Sequence, residues 1–285
     1  MSSSDGAGIG GYGDIHENLR FWIGRLVSLS GPDPLVLYDI GANDGELTLP
    51  FCRAPRRLFA FEPLPAARGR LMQRAVETGA DKALTVLPCA LGETAGQAVM
   101  DVFTDDTFST LHGRPQDDLD QYGLRLVDRS EVPVLALDSL TDTGSAGESP
   151  PAVLSAVLST VIEASVPAGL TVPLPPPDIV KIDVEGAERS VLRGAGETLG
   201  RHLPSILIEY SCINTKNAGY AREEILETLR SLGYEEVYGL YRNRDRSLFT
   251  GAALESCRIW NVLAFSPRHR SALEGVEIRD AVPPE

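Results

Sequence analysis

The sequence of 285 residues lacks several features that would assign it to a class directly. No apolar run reaches the length of about 20 residues that spans a bilayer, and the N-terminus has no signal-peptide pattern. Basic residues are outnumbered, with 26 lysines and arginines against 40 acids and a formal net charge of −14. Because phosphate binding needs clustered basic side chains, we do not expect a nucleic acid as a partner, and without a membrane-spanning run we do not expect a membrane either.

Cysteine and histidine are both scarce, with four of each. The cysteines show no C-x-x-C spacing, and the histidines form no ligand cluster. We therefore expect reduced, mostly buried thiols at Cys52, Cys89, Cys212 and Cys257, a cytoplasmic location, and no metal site.

An apolar fraction of 43% is enough for a sizeable core. The length fits one large domain or a domain with an appendage. We predict a domain over residues 14–265, preceded by a disordered Ser/Gly-rich segment at 1–13 and followed by a polar tail at 266–285. A first amphipathic helix is predicted over residues 17–29.

Residues 35–62 carry the most informative pattern. An apolar run that ends in glycine-rich sequence is typical of a buried strand feeding a tight turn. A short helix is predicted over residues 46–53, and a second apolar run, at 58–61, is followed by Glu62. The pattern is a β-α-β unit with an acid at the tip of its second strand.

The residues at this turn indicate a nucleoside cofactor. Gly41 and Gly45 lack side chains, so a ligand can approach the backbone closely. Glu62 follows Gly41 by 21 residues and can accept hydrogen bonds from both hydroxyls of a ribose. Asp39 stands ahead of the first glycine, where an acid suits a cationic ligand better than a pyrophosphate. S-adenosylmethionine is cationic at its ammonium and sulfonium and has no phosphate, so we favour it over NAD.

Residues 178–188 read as a second buried strand that ends in acids and leads into a helix. Ligands bind at the carboxyl ends of strands in open α/β sheets. Asp183 and Glu185 are therefore expected in the same crevice as Gly41 and Glu62. Capping of the helix is the alternative interpretation, and it explains Glu185 better than Asp183.

Other segments add candidates to this crevice. Glu209 is the acid at the tip of a further strand, predicted over residues 205–210. His112 lies in a polar loop near the expected cleft, where a lone histidine is more often simply solvated. Ala90 follows the third strand, at 84–87, and is small enough for a wall against an adenine base.

Residues 141–177 form an insertion that opens and closes on proline-rich sequence. Between these hinges, apolar residues recur at helical spacing from Val153 to Ile162, with almost no charge on the helix. Such a stripe must be buried somewhere. We rank packing on its own domain first, a homo-oligomer contact second and a substrate lid third.

Two late strands, at 235–240 and 259–265, can form an antiparallel hairpin at the edge of the sheet. The fold class is therefore α/β.

From about residue 35 to residue 265, the order of motifs resembles the FkbM-type methyltransferases. The shared motifs are D-x-G-x-N-x-G, Phe-Glu-Pro, Pro-Cys-Ala-Leu-Gly, Leu-Asp-Ser-Leu, Lys-Ile-Asp-Val-Glu-Gly-Ala-Glu and Ile-Glu-Tyr. The resemblance implies a Rossmann-like class I methyltransferase fold, with a seven-stranded, mostly parallel sheet, an antiparallel edge strand and helices on both faces. It implies S-adenosylmethionine as cofactor and O-methylation of a small molecule such as a sugar or secondary metabolite.

The resemblance also assigns roles to residues. The turn after the first strand would hold the methionyl end of the cofactor, and Glu62 would hold its ribose. The cofactor-binding positions are then Asp39, Gly41, Ala42, Asn43, Gly45, Glu62, Pro63 and Ala90.

Methyl transfer requires an acceptor oxygen held in line with the methyl group, and then removal of its proton. Asp183 and His112 are the candidate bases, and Glu185 and Glu209 are candidates for orienting substrate hydroxyls. Two other functions stay open: an NAD-dependent oxidoreductase, which would need a fuller glycine fingerprint, and a non-catalytic nucleoside-binding protein.

Overall fold

The computed structural model describes residues 12–31, 34–141 and 173–283. The strands in this part are β1 (Val36–Ile40), β2 (Arg57–Phe61), β3 (Leu84–Leu87), β4 (Ala90–Leu91), β5 (Gly96–Phe103), β6 (Leu126–Leu135), β7 (Ile179–Ile182), β8 (Ser205–Glu209), β9 (Val237–Tyr241), β10 (Leu248–Phe249), β11 (Ile259–Ala264) and β12 (Ile278–Arg279). The α-helices are α1 (Tyr12–Leu29), α2 (Pro65–Thr78), α3 (Gln116–Tyr122), α4 (Glu188–Arg193), α5 (Gly196–His202), α6 (Cys212–Asn217) and α7 (Glu223–Ser231). None of these helices combines the length and the apolar character that a bilayer crossing requires.

Nine strands form the main sheet, in the order β12-β10-β9-β11-β8-β7-β1-β2-β3. The run from β8 to β3 is parallel, and β11, β9 and β10 join it in antiparallel pairs. The α/β class and the antiparallel pairing of the two late strands are as predicted, but this pair lies inside the sheet and not at its edge. The expected number of seven strands is wrong, because short β10 and β12 extend the sheet beyond β9.

Helices cover both faces of this sheet, as predicted. Side chains alternate between the two faces of a strand. Val36, Tyr38 and Ile40 therefore enter one apolar cluster, with α4, α5 and α7, while Leu37 enters the other, with α1 and α2. Trp22 of α1 is fully buried in the second cluster, which is the packing role expected for an amphipathic helix.

A second sheet of three strands, β4-β6-β5, was not expected as a separate unit. Its β5 and β6 form an antiparallel pair along nearly their whole length. Apolar residues such as Met100 and Val132 pack beneath it against Leu64 and Ala67. The segment 104–114, which follows β5, is thereby held beside the carboxyl ends of the main strands.

Two local expectations need correction. The helix predicted over residues 46–53 is only a 3-10 turn, Leu49–Phe51. The polar tail predicted at 266–285 is part of the fold as far as it is described, since β12 pairs with β10 and His269 is buried against Ser205. The polar composition of this segment did not predict its packing, because only a few of its side chains point inward.

The centre of the predicted insertion, residues 142–172, lies outside the described residues. Its two ends are adjacent, because Thr141 and Leu174 form a β-bridge. The Tyr38 hydroxyl also donates a hydrogen bond to the carbonyl of Pro175, at 2.6 Å. The two described ends of the insertion therefore lie at one place, beside β1.

The expectation of four reduced thiols is wrong for two of them. Cys52 and Cys89 are free and buried, but Cys212 and Cys257 form a disulfide. Cys212 follows β8 and Cys257 precedes β11, and these strands are antiparallel neighbours. The end of one strand therefore meets the start of the next, which no sequence spacing reveals. Since disulfides are rare in the cytosol, cysteine content no longer supports a cytoplasmic location.

Replacing both Cys212 and Cys257 by alanine should lower the free energy of unfolding by about 2–4 kcal/mol, because the bond closes a loop with a sequence separation of 45 residues. Urea denaturation without reductant measures this loss. Dithiothreitol should produce the same loss in the wild type and none in the double variant. A wild type indifferent to reductant would contradict the disulfide.

Candidate functional site

The turn after β1 packs directly against the end of β7. Gly41 has a φ of +75°, and a Cβ atom built on it would lie 1.9 Å from the carbonyl oxygen of Asp183. Glycine is therefore required here both by conformation and by space. Asn43 also has a positive φ, of 45°. The predicted turn thus contains two residues in the left-handed conformation and brings Gly41 and Asp183 into contact.

Glu62 ties this turn to the end of β2. It is only 5% exposed, and its two carboxylate oxygens accept hydrogen bonds from the backbone N–H groups of Asn43, at 2.9 Å, and Leu64, at 2.8 Å. Burial raises the pKa of Glu62, although these two N–H groups and Lys181 oppose the shift. Each oxygen keeps a lone pair for a ligand hydroxyl.

A first cavity opens beside Glu62. Its walls combine residues of the β1 turn, the tip of β2, β4, the second sheet and the end of β7. The lining includes Gly41, Asn43, Glu62, Pro63, Ala90, Leu91, Met100, Ser109, Leu111, Asp183 and Glu185. The walls are mainly apolar and also carry carboxylates, among them Glu62, Asp183 and Glu185, which are the kinds of group that an adenosine contacts; the volume is about 60 Å³.

Ser109 is a polar group of this cavity that sequence reasoning missed. It is 8% exposed, and its hydroxyl is buried without a hydrogen-bond partner among the described residues. A buried polar group of this kind is expected to bind a ligand or water. The polar segment 104–113 was the available signal, but only His112 was singled out from it.

Lys181 organises the acids behind the turn. Its Nζ lies 3.1 Å from Asp39 Oδ1 and 3.7 Å from Asp183 Oδ2, and it donates a hydrogen bond of 2.6 Å to the carbonyl of Gly41. Burial lowers the pKa of Lys181, but Asp39 and Asp183 outweigh it and leave this pKa raised. Thr48 donates to the other oxygen of Asp39, at 2.5 Å. The negative charge of Asp39 is therefore balanced by Lys181, a residue of the protein itself.

A second and larger cavity, of about 500 Å³, adjoins the first. The two share residues from the β1 turn, the 104–114 segment and the end of β7: Gly41, Asn43, Thr107, Asp183 and Glu185. The larger cavity is also lined by α1 and by aromatic side chains, namely Phe108, Tyr122 and Trp260. Its volume is in the range of small-molecule sites.

Three carboxylates meet where the cavities join. One oxygen from each of Asp183, Glu185 and Glu209 lies within 4.8 Å of the others. Buried Arg114 pairs with Glu185, and the Asn214 amide donates to Glu185, at 2.9 Å, and to Glu209, at 3.0 Å. The sequence predicted that these acids share a crevice, and the structure brings them together. Arg114 and Asn214 were missed because they come from distant segments without a motif.

The electrostatics of this cluster follow from burial and crowding. Burial raises the pKa of Glu185 to about 8; Arg114 opposes the shift, and Asp183 and Glu188 add to it. Burial also raises the pKa of Glu209 well above its ordinary value, and Glu185 adds to this shift. The three carboxylates are therefore not all ionised at neutral pH unless a positive charge joins them.

His112 is separated from this cluster. It lines neither of the two cavities and packs beside Gly186, where a Cβ atom would lie 3.4 Å from His112 Cδ2. Burial, and then the charge of Arg189, lower the pKa of His112. The structure thus gives Asp183 a central position and His112 a peripheral one.

The predicted cofactor positions divide between the two cavities. Gly41, Asn43, Glu62, Pro63 and Ala90 line the first cavity, whereas Asp39 and Ala42 line the second. Gly45 lines neither cavity. A Cβ atom on Gly45 would lie 2.5 Å from the Leu71 side chain, so packing against α2 explains this glycine.

An open α/β sheet with a glycine turn, an acid on the neighbouring strand and a cavity at the strand ends defines a nucleoside-cofactor fold. Residues 171–236 match the family model described as the methyltransferase FkbM domain. The matched segment contains Asp183, Glu185 and Glu209. This match confirms, over that segment, the predicted resemblance to the FkbM-type methyltransferases, a class of enzyme that uses S-adenosylmethionine.

Several solved structures resemble the chain weakly. The methyltransferase FkbM from Methylobacillus flagellatus KT is 15% identical with a TM-score of 0.41, and the similarity covers 83% of this chain and 46% of that one. The chain thus spans less than half of that protein. Magnesium protoporphyrin IX methyltransferase from Synechocystis PCC 6803, solved with bound SAM, is 12% identical with a TM-score of 0.43, over 91% of this chain and 85% of that one.

The O-methyltransferase TomG from Streptomyces achromogenes, solved in complex with SAM, is 9% identical with a TM-score of 0.42, over 88% of this chain and 80% of that one. Similarity at this level assigns no role to any residue of the site. The comparison with curated protein sequences found no match.

The contact between Gly41 and Asp183 can be tested against a matched control. Gly79 has a φ of +72°, and a Cβ atom placed on it would have no neighbour within 4 Å. Gly79→Ala should therefore cost only the strain of the left-handed conformation, about 1–2 kcal/mol. Gly41→Ala adds a clash with backbone and should cost about 3 kcal/mol or more. Urea denaturation of both variants measures the difference. Equal losses would mean that Asp183 moves aside freely.

Proposed function

We propose that this protein transfers a methyl group from S-adenosylmethionine to a hydroxyl oxygen of a small molecule. The observation that carries the proposal is the pair of joined cavities. One has the composition of an adenosine site and the other the volume of an acceptor site. Asp183 lines both of them.

The cofactor is assigned to the first cavity. Glu62 accepts hydrogen bonds from the ribose hydroxyls, and Ser109 provides a polar contact for the adenine. The apolar walls at Ala90 and Leu91 pack against the base. The methionyl end then follows the turn from Gly41 to Asn43 toward the larger cavity, which shares both residues with the first.

The acceptor is assigned to the larger cavity. The carboxylates of Glu185 and Glu209 can accept hydrogen bonds from several hydroxyl groups, and aromatic side chains such as Trp260 offer flat apolar surface. This combination suits a polyhydroxylated molecule with apolar faces, such as a sugar or a secondary metabolite.

Charge explains how the site favours transfer. The sulfonium loses its charge as the methyl group leaves, so a carboxylate held tightly against sulfur would stabilise the ground state and slow the reaction. Asp39 is instead paired with Lys181, and Glu62 lies at the ribose end. Rate then comes mainly from holding the acceptor oxygen in line with the methyl group, and Asp183 accepts the proton of that oxygen.

One observation weighs against an NAD-dependent oxidoreductase. The turn after β1 leads into the 3-10 turn Leu49–Phe51 and not into an α-helix. A helix N-terminus facing a pyrophosphate, which dinucleotide sites use, is therefore missing at this position. Calorimetry with S-adenosylhomocysteine and NAD separates the two functions. Self-association through residues 141–177 and a cytoplasmic location stay predictions.

Replacing Glu62 by glutamine should weaken binding of S-adenosylhomocysteine by about 1.5–3 kcal/mol, which is the range for a hydrogen bond to a charged group. Isothermal titration calorimetry measures the affinity, and the melting temperature reports any loss of fold. Glu77→Gln, on the exposed side of α2, is the control and should bind like the wild type. Unchanged affinity in Glu62→Gln would remove Glu62 from the ribose site.

Replacing Asp183 by asparagine should preserve the affinity for S-adenosylhomocysteine and lower turnover by about 10²–10⁴-fold, because the shape is kept and the proton acceptor is lost. Turnover is measured as formation of S-adenosylhomocysteine with an acceptor found by screening hydroxylated compounds. His112→Ala is the comparison and should keep most activity, given its peripheral position. The reverse result would transfer the role of base to His112.

A further inference from the structure

We propose that Asp183, Glu185, Glu209 and Asn261 bind one divalent metal cation of the kind that prefers oxygen ligands, such as Mg²⁺ or Mn²⁺, at the junction of the two cavities. The sequence predicted no metal site, because its cysteines and histidines show no ligand spacing. The proposal rests on the proposed function only for its location beside the acceptor.

The first observation is the geometry of the three carboxylates. They come from the segments after β7 and at the tip of β8, which are parallel neighbours in the sheet. One oxygen of each lies within 4.8 Å of the other two, so the three oxygens surround a common point. Hard cations such as Mg²⁺ and Ca²⁺ take carboxylate and amide oxygens as ligands.

The second observation is independent of the acids. Asn261 of β11 is the direct cross-strand partner of Glu209, so both side chains emerge on the same face of the sheet. Asn261 is 8% exposed and lines the larger cavity together with the three acids. Its side chain makes no hydrogen bond to any other described residue. The amide is therefore open to the cavity and available to a ligand there.

The hydrogen-bond donors and positive charges already beside the carboxylates leave room for a cation. Arg114 and Asn214 both approach Glu185 at Oε2, and Asn214 also reaches Glu209. Within the described ranges, no donor reaches Glu185 Oε1, and Asp183 has only the 3.7 Å contact with Lys181. Lys181 lies closer to Asp39 than to Asp183. The cluster therefore keeps carboxylate oxygens that no described donor occupies.

A cation at this point would act on the acceptor. A hydroxyl oxygen bound to a divalent cation gives up its proton more readily. The oxygen then attacks the methyl carbon, the bond from carbon to sulfur breaks, and its electron pair stays on the sulfur of S-adenosylhomocysteine. Asp183 can ligate the cation through one oxygen and receive the proton on the other.

Calorimetric titration of MnCl₂ into the full chain, after dialysis against EDTA, tests the site without any acceptor. We expect one saturable Mn²⁺ per chain, competed by Mg²⁺. Asn261→Ala and Glu209→Gln should each lower the Mn²⁺ affinity by about tenfold or more. The Asn261 side chain has no described partner, so its loss should leave the melting temperature unchanged.

The matched control is Glu46→Gln. Glu46 lines the same cavity, but it pairs with Arg20 and lies outside the cluster. This variant should bind Mn²⁺ like the wild type. Affinity reduced equally in Glu46→Gln and Glu209→Gln would mean a diffuse acidic surface and would overturn the proposal.

Two further results would overturn the cation site. One is a chain that binds S-adenosylhomocysteine but shows no saturable binding of Mn²⁺, Mg²⁺ or Ca²⁺, which would leave the proposed function intact. The other is binding of glucosamine, which carries an ammonium group, by a chain that binds no metal. If Glu209→Gln abolishes this binding, the cluster is a site for an ammonium group and not for a metal cation. Saturable Mn²⁺ binding by a chain that does not bind S-adenosylhomocysteine would support the site and contradict the proposed function.

Discussion

The site depends on one buried lysine. Lys181 of β7 lies directly across from Asp39 of β1 in the central parallel pair, and its ammonium also reaches the carbonyl of Gly41. Removing one partner of a buried ion pair leaves an uncompensated charge, which commonly costs about 3–5 kcal/mol. The lysine therefore fixes the positions of the β1 turn and of the acids after β7. Because Gly41 and Asp183 touch, any shift between the two strands would change both cavities at once.

The second sheet completes the site from the opposite side. Thr110 donates a hydrogen bond of 2.6 Å to the backbone carbonyl of Glu185, and Arg114 pairs with the side chain of the same residue. Glu185 has a φ of 54°, a conformation that non-glycine residues rarely adopt. These two contacts hold it there. The main sheet supplies the acids, and the loop after β5 supplies the groups that orient and partly neutralise them.

The antiparallel end of the main sheet gives the site its remaining wall. β11 lies between β8 and β9, so it places Trp260 and Asn261 next to Glu209. The disulfide between Cys212 and Cys257 links the segments just outside this pair of strands. α6, which begins at Cys212, carries Asn214 into the carboxylate cluster. The position of Asn214 is thus fixed by a covalent bond on one side and by two glutamates on the other.

The sequence alone determined the local elements and the chemistry of the strand tips. The bounds of α2 follow from Pro65 at its start and from Gly79, which ends it in the left-handed conformation. Apolar runs identified β1, β2, β7 and β8, and the glycines and acids that follow them marked the crevice, because strand ends in such sheets lie at one edge. These patterns depend only on residues that are close together in the chain, so the features could be predicted from the sequence.

Only the tertiary structure decided which distant residues meet. Arg114, Ser109, Asn214 and Asn261 reach the site from segments that carry no motif, and the disulfide joins cysteines separated by 45 positions. His112 shares a polar loop with Ser109, yet Ser109 faces a cavity and His112 does not. The extra strands β10 and β12 have two residues each, too few to show a period. These outcomes depend on strand register and on the order of strands in the sheet, which set contacts across the fold that no local pattern records.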